Sequence, residues 1–488
     1  MHVLTARTWN VVYYYYPTLL TYLLVPFAAV LHAVAHIPLT ASAIGIQLEE
    51  ALPSEFPIYL AGRLLVALMG TATIAVSFES ARRLVGIRGG IIAAALVAFS
   101  VVMVDNSQYL TTDVPSAFIA ALTLLAAIVA WERRSTRWIL VSAFLAGLAG
   151  STKFNVGLVV IVAVMAWVSI VEWRAVGTAW RVAEWPNRWG LLVTAVRLRT
   201  LVLIPVVAIV GLVIATPAIV LDPGLILRYL RIQVTAYGVG TSASLLPSLG
   251  YYLQYLWDTA FGPVACILVA LGTVRLLARR RPPELFILVF GLAYLILMST
   301  ASLHFQRNLA PLVPFAAIAG AEAGDLLIDA MIALERRLAS ARPSASFVSR
   351  LAAVAVAAVA VAAMTFNPLA IAVTASGELV KLDTRVAAYQ WLEANMPNGE
   401  RIARDGYTPV LVAPRFDGHI YWPLGEHDPA WYRSQGFAYL VLSDTVYNRA
   451  PQGNPLFADY SALLNLPVVY RATPGSTTSG PTIVIVRL

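Results

Sequence analysis

The stretch QYLTTDVP, residues 108–115, lies between two long apolar runs at 89–104 and 114–131. An apolar run of about 20 residues can cross the hydrocarbon core of a membrane, and in lipid it must do so as a helix. A polar segment with a carboxylate between two such runs is expected where two spans meet the membrane surface. If the chain carries chemistry, we expect Asp113 to lie at or near it.

The composition supports a membrane protein throughout. The chain has 488 residues, of which 59% are hydrophobic and 12% charged, whereas soluble domains have about 25% charged residues. Apolar runs recur at 58–81, 89–105, 114–131, 138–150, 155–172, 200–220, 259–278, 284–303, 309–330 and 351–373. We therefore predict a polytopic α-helical membrane protein with about 10 or 11 spans.

Arginine placement predicts the orientation. Basic loops at 82–88, 132–137, 174–199, 275–281 and 336–350 alternate with loops that contain few cations. By the positive-inside rule the basic loops are cytoplasmic, and 105–113, 151–154, 221–258, 304–308 and the chain after about 374 are outside. The net charge of +8 therefore reflects topology and does not indicate nucleic-acid binding. The Arg-, Ala- and Val-rich composition suggests a bacterial protein of the inner (cell) membrane.

Three regions are predicted. Residues 1–57 form part of a first outer loop with an interfacial helix, and 58–375 form the membrane domain. Residues 376–488 are more polar, with turn residues and without a run long enough to span, which predicts a small extracytoplasmic α/β domain. Its predicted elements are a helix at Asp383–Met396 and strands at Ile402–Asp405, Ala438–Leu442 and Thr482–Val486.

Two interpretations of Asp113 stand side by side. Ionisable residues near spans are costly to insert and often functional. However, Asp or Thr before a helix, with a proline near the first turn, is also an ordinary N-cap arrangement. The two roles are compatible.

Further cations are predicted at the same outer side. Lys153 is one of only two lysines in the chain, the other being Lys381, and it interrupts the positive-inside pattern. It is either an anion ligand, most simply for a phosphate, or a snorkelling side chain. His304 and Arg307 either hold a phosphate or anchor the chain at the interface. Arg63, at the start of a span, fits an anchor better.

Several kinds of site are not indicated. The sequence contains no H-x-x-x-H apart from His32 and His36, which lie in an apolar stretch, so no metal site is predicted. Neither a P-loop nor a G-x-S-x-G elbow occurs. A transporter would carry charge near the midplane, whereas the charges here collect at the outer ends of spans.

Short motifs along nearly the whole chain carry a family resemblance. They are YPTLLTY (16–22), GRLL (62–65), YLTTDVP (109–115), AGLAGSTK (146–153), QRNLAPLVP (306–314), DTR (383–385), YLVLS (439–443) and GPTI (480–483). In order and spacing the chain resembles the GT-C superfamily of polyprenyl-phosphate-dependent glycosyltransferases. It is most similar to bacterial relatives of protein O-mannosyltransferases and lipid A aminoarabinose transferases.

The resemblance implies a reaction. A sugar would pass from a polyprenyl-phosphate monosaccharide to a hydroxyl of a protein, lipid or glycan acceptor at the outer face, normally with inversion. Asp113 would act at the catalytic centre, and Lys153, Arg307 and Arg63 would stabilise the leaving phosphate. Tyr16 and Tyr22 would line the lipid-phosphate groove. No cofactor is evident, although some relatives use a divalent metal.

One expected feature of the family is missing. Relatives carry an acidic pair just after the first span, and the first acidic residue of this chain is Glu49. We therefore expect that an upstream span and acidic pair precede residue 1. The alternative is a truncated or degenerate relative that binds polyprenyl phosphate without catalysis. In either case Asp113 would match the second acidic position, as a supporting acid.

Overall fold

The computed structural model describes residues 14, 16–35, 57–171, 197–237, 245–301, 304–341, 366, 368–411, 413–421, 423–448 and 460–488. Most of the predicted span at 351–373 lies outside these residues. The chain divides into two compact units. One unit contains residues 2–34 and 61–372, and the other contains residues 35–60 and 373–488.

The first unit is helical. Its helices are α1 (Leu19–Ala35), α2 (Pro57–Leu84), α3 (Ile87–Ala98), α4 (Val101–Asn106), α5 (Asp113–Glu132), α6 (Thr136–Gly150), α7 (Val160–Ile170), α8 (Leu198–Ala215), α9 (Ala218–Leu221), α10 (Pro223–Ala236), α11 (Leu245–Tyr255), α12 (Gly262–Arg279), α13 (Pro282–Ser299) and α14 (Val313–Ala341). Shorter turns at Phe154–Val159, Leu256–Ala260 and Gln306–Leu312 connect some of them.

Five described helices are long and apolar enough to cross a membrane, namely the Leu60–Leu84 part of α2, α5, α8, α12 and α13. Shorter apolar helices accompany them. These helices confirm the predicted multi-pass α-helical protein. Helix α5 is the most enclosed of the five, because α6, α7 and the turn Gln306–Leu312 pack around it. Its first residue, Asp113, is therefore inside the protein rather than facing lipid.

Close helix packing brings the end of α6 to the end of α8. A Cβ at Gly147 would lie 2.0 Å from the Ala208 oxygen, and one at Gly211 would lie 2.4 Å from the Phe144 oxygen. Small residues at these crossings let the two backbones approach, as is common between membrane helices. The Gly-rich sequence before Lys153 thus fixes where the α6 end lies.

Two predicted features of this unit were wrong. The run at 89–105 is not one span, because the chain leaves the helix at Ser100, where φ is −65° and ψ 119°, and resumes as α4. The segment 221–258, predicted as an outer loop, contains α10 and α11. Helix α10 begins where Asp222 accepts a hydrogen bond from the Leu225 N–H at 3.0 Å and Pro223 occupies the first turn.

The second unit has a five-stranded sheet in the order β3-β2-β4-β7-β5. The strands are β1 (Leu382–Asp383), β2 (Glu400–Asp405), β3 (Phe416–Tyr421), β4 (Tyr439–Ser443), β5 (Val468–Ala472), β6 (Thr478–Ser479) and β7 (Ile483–Arg487). Strands β3, β2 and β4 are parallel, and β7 is antiparallel to β4 and β5. Its helices are α15 (Thr384–Asn395), α16 (Pro429–Ser434), α17 (Asp444–Tyr447) and α18 (Ser461–Leu464).

The predicted C-terminal elements are confirmed in this unit. Helix α15 starts after Asp383, whose side chain accepts from the Arg385 N–H, as the aspartate at its start predicted. The three predicted strands correspond to β2, β4 and β7. Strand β3 was missed because its sequence, FDGHIY, has neither an apolar run nor a clean alternation.

Candidate active site at one end of the helix bundle

Asp113 and Lys153 form a buried ion pair. Lys153 Nζ lies 2.6 Å from Asp113 Oδ1, and the two residues are only 2% and 5% exposed. Such a pair is stable only when its remaining polar atoms also find partners, because both ions lose their hydration. The surroundings of the pair supply these partners.

The lysine reaches the aspartate from a turn between two helices. Helix α6 ends at Gly150, the Lys153 N–H donates to the Ala149 oxygen at 3.1 Å, and a 3-10 turn begins at Phe154. Nearby, the Ser151 and Thr216 hydroxyl oxygens lie 2.5 Å apart. The first residue of α1 joins the same point, because the Leu19 N–H donates to the Ser151 oxygen at 3.1 Å.

Asn308 and Arg307 complete the cluster. Lys153 Nζ donates to Asn308 Oδ1 at 2.9 Å, and Arg307 Nε lies 3.9 Å from Asp113 Oδ2. The Arg307 side chain is 29% exposed, so it connects the buried pair to the surface. Its guanidinium also stacks on the Phe305 ring, 5.1 Å from the ring centre. One carboxylate is thus opposed by two cations, which leaves the cluster positively charged.

A second set of hydrogen bonds holds Asn308 in place. The Tyr294 hydroxyl donates to the Asn308 backbone oxygen at 3.1 Å. Asn155 Nδ2 lies 3.3 Å from the same hydroxyl. Tyr294 is fully buried on α13, so this network links α13 to the turns that carry Lys153 and Arg307.

Two sequence interpretations need correction. Asp113 does not cap α5: the residue before the helix is Thr112, no side chain caps it, and the Asp113 carboxylate turns to Lys153 instead. Lys153 does not snorkel, because its side chain is 7% exposed and its ammonium is inside the protein. Both interpretations considered each residue alone, whereas each side chain is placed by the other.

His304 lies beside the cluster but not in it. Its ring packs against Tyr251 and Tyr252, with ring centres 5.1 and 5.6 Å away. Nε2 is buried and has no hydrogen-bond partner among the described residues. Burial lowers the pKa of His304, so the ring is uncharged near pH 7 and offers an anion no charge.

The other predicted site residues, Arg63, Tyr16 and Tyr22, lie on segments that neighbour the cluster. Arg63 Nε donates to the Gln108 backbone oxygen at 2.5 Å, so it fastens α2 to the polar stretch before Asp113. A Cβ at Gly62 would collide with Leu110, so the GRLL motif packs tightly on that stretch. Tyr22 forms a side-chain hydrogen bond with Thr18 at the start of α1, and Tyr16 lies half-buried just before it.

Sequence reasoning overlooked Asn308 and Asp105. Asn308 lies in the motif QRNLAPLVP, but only the fold shows that its side-chain oxygen accepts from Lys153. Asp105 is on α4, which packs against the turn that carries Arg307. Its half-buried carboxylate has no hydrogen bond or ion pair with another described residue, and it interacts electrostatically with Tyr255.

The described residues do not form a metal site. They contain no group of three or more His, Cys, Asp and Glu side chains that could hold an ion. Both oxygens of Asp113 face cations, which does not fit a ligand for a divalent metal.

One protein family and several solved structures are similar to this chain. Residues 56–196 match the family described as dolichyl-phosphate-mannose-protein mannosyltransferase. No curated protein sequence matches the chain. Among solved structures, the fold is similar to the Archaeoglobus fulgidus oligosaccharyltransferase AglB in complex with an inhibitory peptide and a dolichol-phosphate, with TM-score 0.54 and 13% identity. That match covers 96% of this chain and 66% of the archaeal one.

Two further structures are similar. The same archaeal enzyme tethered to an acceptor peptide with the NVT sequon has TM-score 0.53 and 13% identity over 96% of this chain and 66% of the other. ArnT from Cupriavidus metallidurans bound to undecaprenyl phosphate has TM-score 0.44 and 16% identity over 87% and 84%. The chain thus spans about two-thirds of the archaeal enzymes. The family match and the shared fold confirm the predicted resemblance to the GT-C superfamily of polyprenyl-phosphate-dependent glycosyltransferases.

Proposed function

We propose that this protein transfers a sugar from a polyprenyl-phosphate monosaccharide to an acceptor hydroxyl at the outer face of a bacterial inner membrane. The observation that carries the proposal is the Asp113–Lys153–Asn308–Arg307 cluster at the ends of three helical segments. It is buried, positively charged and connected to the surface through Arg307. A lipid-linked phosphate is an anion presented at this boundary.

Two cations of the cluster suit the leaving phosphate. When the sugar C1–O bond breaks, its electrons stay on the phosphate oxygen and negative charge develops there. Arg307 has five N–H donors in a planar fork that matches a phosphate. Lys153 has three donors, of which two serve Asp113 and Asn308, so one remains for a phosphate oxygen. Charge stabilisation of this kind is often the largest contribution to a rate.

Asp113 then has a positioning role. Its charge is already balanced by Lys153 and Arg307, and it holds both cations on the same side of the site. This role agrees with the supporting acid that the resemblance implied, and it differs from that of a lone base. Asp113 remains the residue on which the arrangement depends.

The carboxylate suited to take the acceptor proton is Asp105. It lies on α4, which packs against the turn that carries Arg307, and it has no ion pair or side-chain hydrogen bond with another described residue. As the acceptor oxygen bonds to the sugar C1, its proton would pass to Asp105, which balances the charge left on the phosphate. A general base must reach the proton it removes. Attack from the face opposite the phosphate gives inversion.

A protein acceptor is the first candidate. The matching family and the archaeal structures are described with protein or peptide acceptors, and the family name specifies mannose. Polyprenyl-phosphate mannose is therefore the first donor to test, and a Ser/Thr-containing peptide is the first acceptor. Lipid and glycan hydroxyls are further candidates.

Reconstitution tests the proposal. The purified protein in liposomes is given polyprenyl-phosphate [³H]mannose and the peptide, with a panel of other polyprenyl-phosphate sugars in parallel. Label should move to the acceptor and be lost in Arg307→Ala. Binding of the donor without any consumption, across the panel, would instead support a relative that binds polyprenyl phosphate without catalysis.

A further inference from the structure

Helix α11 places two buried tyrosines, Tyr252 and Tyr255, on one of its faces. They are three positions apart, which is the spacing of neighbours on a helix surface. The Tyr252 hydroxyl lies beside the Asn308 side chain, and Tyr255 interacts electrostatically with Asp105. This face of α11 therefore extends from the cluster that would hold the phosphate to the carboxylate that would take the acceptor proton.

The Tyr252 hydroxyl is buried without a hydrogen bond. The residue is 0% exposed, and its oxygen forms no well-aligned hydrogen bond with Asn308 or with any other residue of the described part of the chain. An unpaired hydroxyl in a protein interior costs free energy, and phenylalanine would fill the same space without that cost. Packing alone therefore does not explain why this position holds a tyrosine.

His304 offers a second unpaired atom beside the first. Its ring centre lies 5.6 Å from that of Tyr252, and its buried Nε2 has no partner among the described residues. The ring also forms a hydrogen bond with the Ala301 backbone, which therefore involves Nδ1. Burial lowers the pKa of His304, so the ring is neutral near pH 7, Nδ1 carries the proton and Nε2 is an acceptor.

The two unpaired atoms lie close to the surface of the unit. The Tyr251 ring packs 5.5 Å from the Tyr252 ring and 5.1 Å from the His304 ring, and Tyr251 is 39% exposed. One partly exposed tyrosine thus adjoins both groups. Together they offer a hydroxyl that donates and accepts and a nitrogen that accepts, and both are uncharged.

We propose that Tyr252 and His304 hydrogen-bond to hydroxyl groups of the donor sugar and contribute to the choice of sugar; this role rests on the proposed function. The sugar is joined to the phosphate through C1, so its ring lies next to the groups that hold the phosphate. Asn308 is one partner of Lys153 and is also the neighbour of Tyr252, which brings Tyr252 to this position.

The chemistry of the two groups fits a sugar better than a phosphate. Sugar hydroxyls are neutral and both donate and accept, as the Tyr252 hydroxyl and His304 Nε2 require. A phosphate is served by the cations of the cluster instead. A sugar that lacks the matching hydroxyl would leave the buried groups unpaired, which is the strongest basis on which a site rejects an analogue.

Donor binding tests this role without turnover. The full-length protein in nanodiscs receives polyprenyl phosphate diesters of mannose, glucose, galactose or arabinose, and polyprenyl methyl phosphate, which has the same charge but no sugar. Wild type should bind at least one sugar diester more tightly than the methyl diester. Tyr252→Phe and His304→Phe should each weaken binding of that sugar diester roughly three- to tenfold, the effect of one neutral hydrogen bond, and leave the methyl diester unchanged.

A stability measurement separates a substrate contact from a structural one. Because the Tyr252 hydroxyl has no hydrogen bond within the described structure, Tyr252→Phe should leave Tm unchanged or raise it. Tyr432→Phe is the matched control, because Tyr432 is also 0% exposed but its hydroxyl donates to the Leu424 oxygen at 2.5 Å in the other unit. That variant should lower the Tm of the C-terminal unit and leave donor binding unchanged.

Deoxy donors identify the contact. A donor without the hydroxyl that Tyr252 binds should bind wild type and Tyr252→Phe equally. The site is overturned if no sugar diester binds more tightly than the methyl diester, if Tyr252→Phe weakens both alike, or if it lowers Tm as Tyr432→Phe does. Sugar-dependent binding without transfer would refute the proposed function and retain this site, whereas transfer with unchanged binding in Tyr252→Phe would do the reverse.

Discussion

Lys153 Nζ lies 2.6 Å from Asp113 Oδ1, although the two residues are 40 positions apart and both are buried. The pair joins the first turn of α5 to the turn after α6, and Asn308 adds the segment before α14. Three separate parts of the chain therefore meet at one charge cluster. The proposed function depends on this charge cluster.

Breaking the pair from one side should destabilise the protein. Lys153→Met leaves the Asp113 carboxylate buried without its closest cation, a loss of about 3–5 kcal/mol in the free energy of unfolding. The double variant Asp113→Asn/Lys153→Met should lose less than the sum of the single variants, because it leaves no unpaired charge. Denaturant unfolding in detergent micelles measures all three.

The other lysine is a matched control for this experiment. Lys381 Nζ also lies 2.6 Å from a carboxylate, that of Glu378, but the two side chains are 25% and 45% exposed. Lys381→Met should change stability by less than about 1 kcal/mol. If Lys153→Met were no more costly than Lys381→Met, the buried pair would not have the role assigned to it.

Arg307 should affect catalysis more than folding. Arg307→Ala removes the partly exposed cation of the cluster, and we expect the transfer rate to fall by about 10²–10³ with a higher KM for the donor. Arg307→Lys should recover part of the rate, since it retains the charge but not the planar fork. Steady-state kinetics of both variants test this. Equal activity in wild type and Arg307→Ala would remove Arg307 from the site.

Asp105 should determine the acidic limb of the pH profile. In the wild type, transfer should decline at low pH as the proton acceptor becomes protonated. Asp105→Asn should lower kcat by about 10²–10⁴ and abolish that limb, whereas donor binding stays. Asp258, an exposed acid just after α11, is a suitable control as Asp258→Asn. A normal profile in Asp105→Asn would assign the proton to another group.

Asp405 should make the C-terminal unit more stable at low pH. Burial raises the pKa of Asp405 to about 7, although its carboxylate accepts from the Leu424 N–H at 2.9 Å and the Tyr460 hydroxyl at 2.7 Å. The folded state thus holds a proton that the unfolded state releases near pH 4. Stability is full below about pH 4 and decreases as pH rises towards 7, by on the order of 4 kcal/mol.

Hydrogen exchange in β4 and β7 across this range measures the effect. Asp405→Asn should show a flatter dependence of protection on pH than wild type, since the amide does not titrate. Other carboxylates contribute equally to both proteins, so the difference isolates Asp405. Identical pH dependence in the two proteins would contradict the assignment.

The sequence predicted the features that one segment decides alone. The apolar run at 114–131 forms α5 because a segment in lipid must satisfy its own backbone hydrogen bonds, as a helix does. The start of α15 was also predictable, because Asp383 caps the helix with its own side chain. The position of the charge cluster at one end of the spans was also expected from the loops.

The rest depended on tertiary packing. That Lys153 binds Asp113 depends on the packing of α6 against α5, which no single segment reveals. Asn308 acquires its role only beside Lys153. Helix α10 was missed because its two arginines make the segment too polar for a span, and a polar segment between spans was interpreted as a loop.

The most direct test of the central claim follows both products of one reaction. Wild-type protein in liposomes receives a donor labelled in the sugar and in the lipid, with the acceptor peptide. The account predicts that glycosylated peptide and free polyprenyl phosphate appear in a 1:1 ratio, and that Asp113→Asn forms neither at the wild-type rate. Donor that is bound but never cleaved, or wild-type turnover in Asp113→Asn, would contradict it.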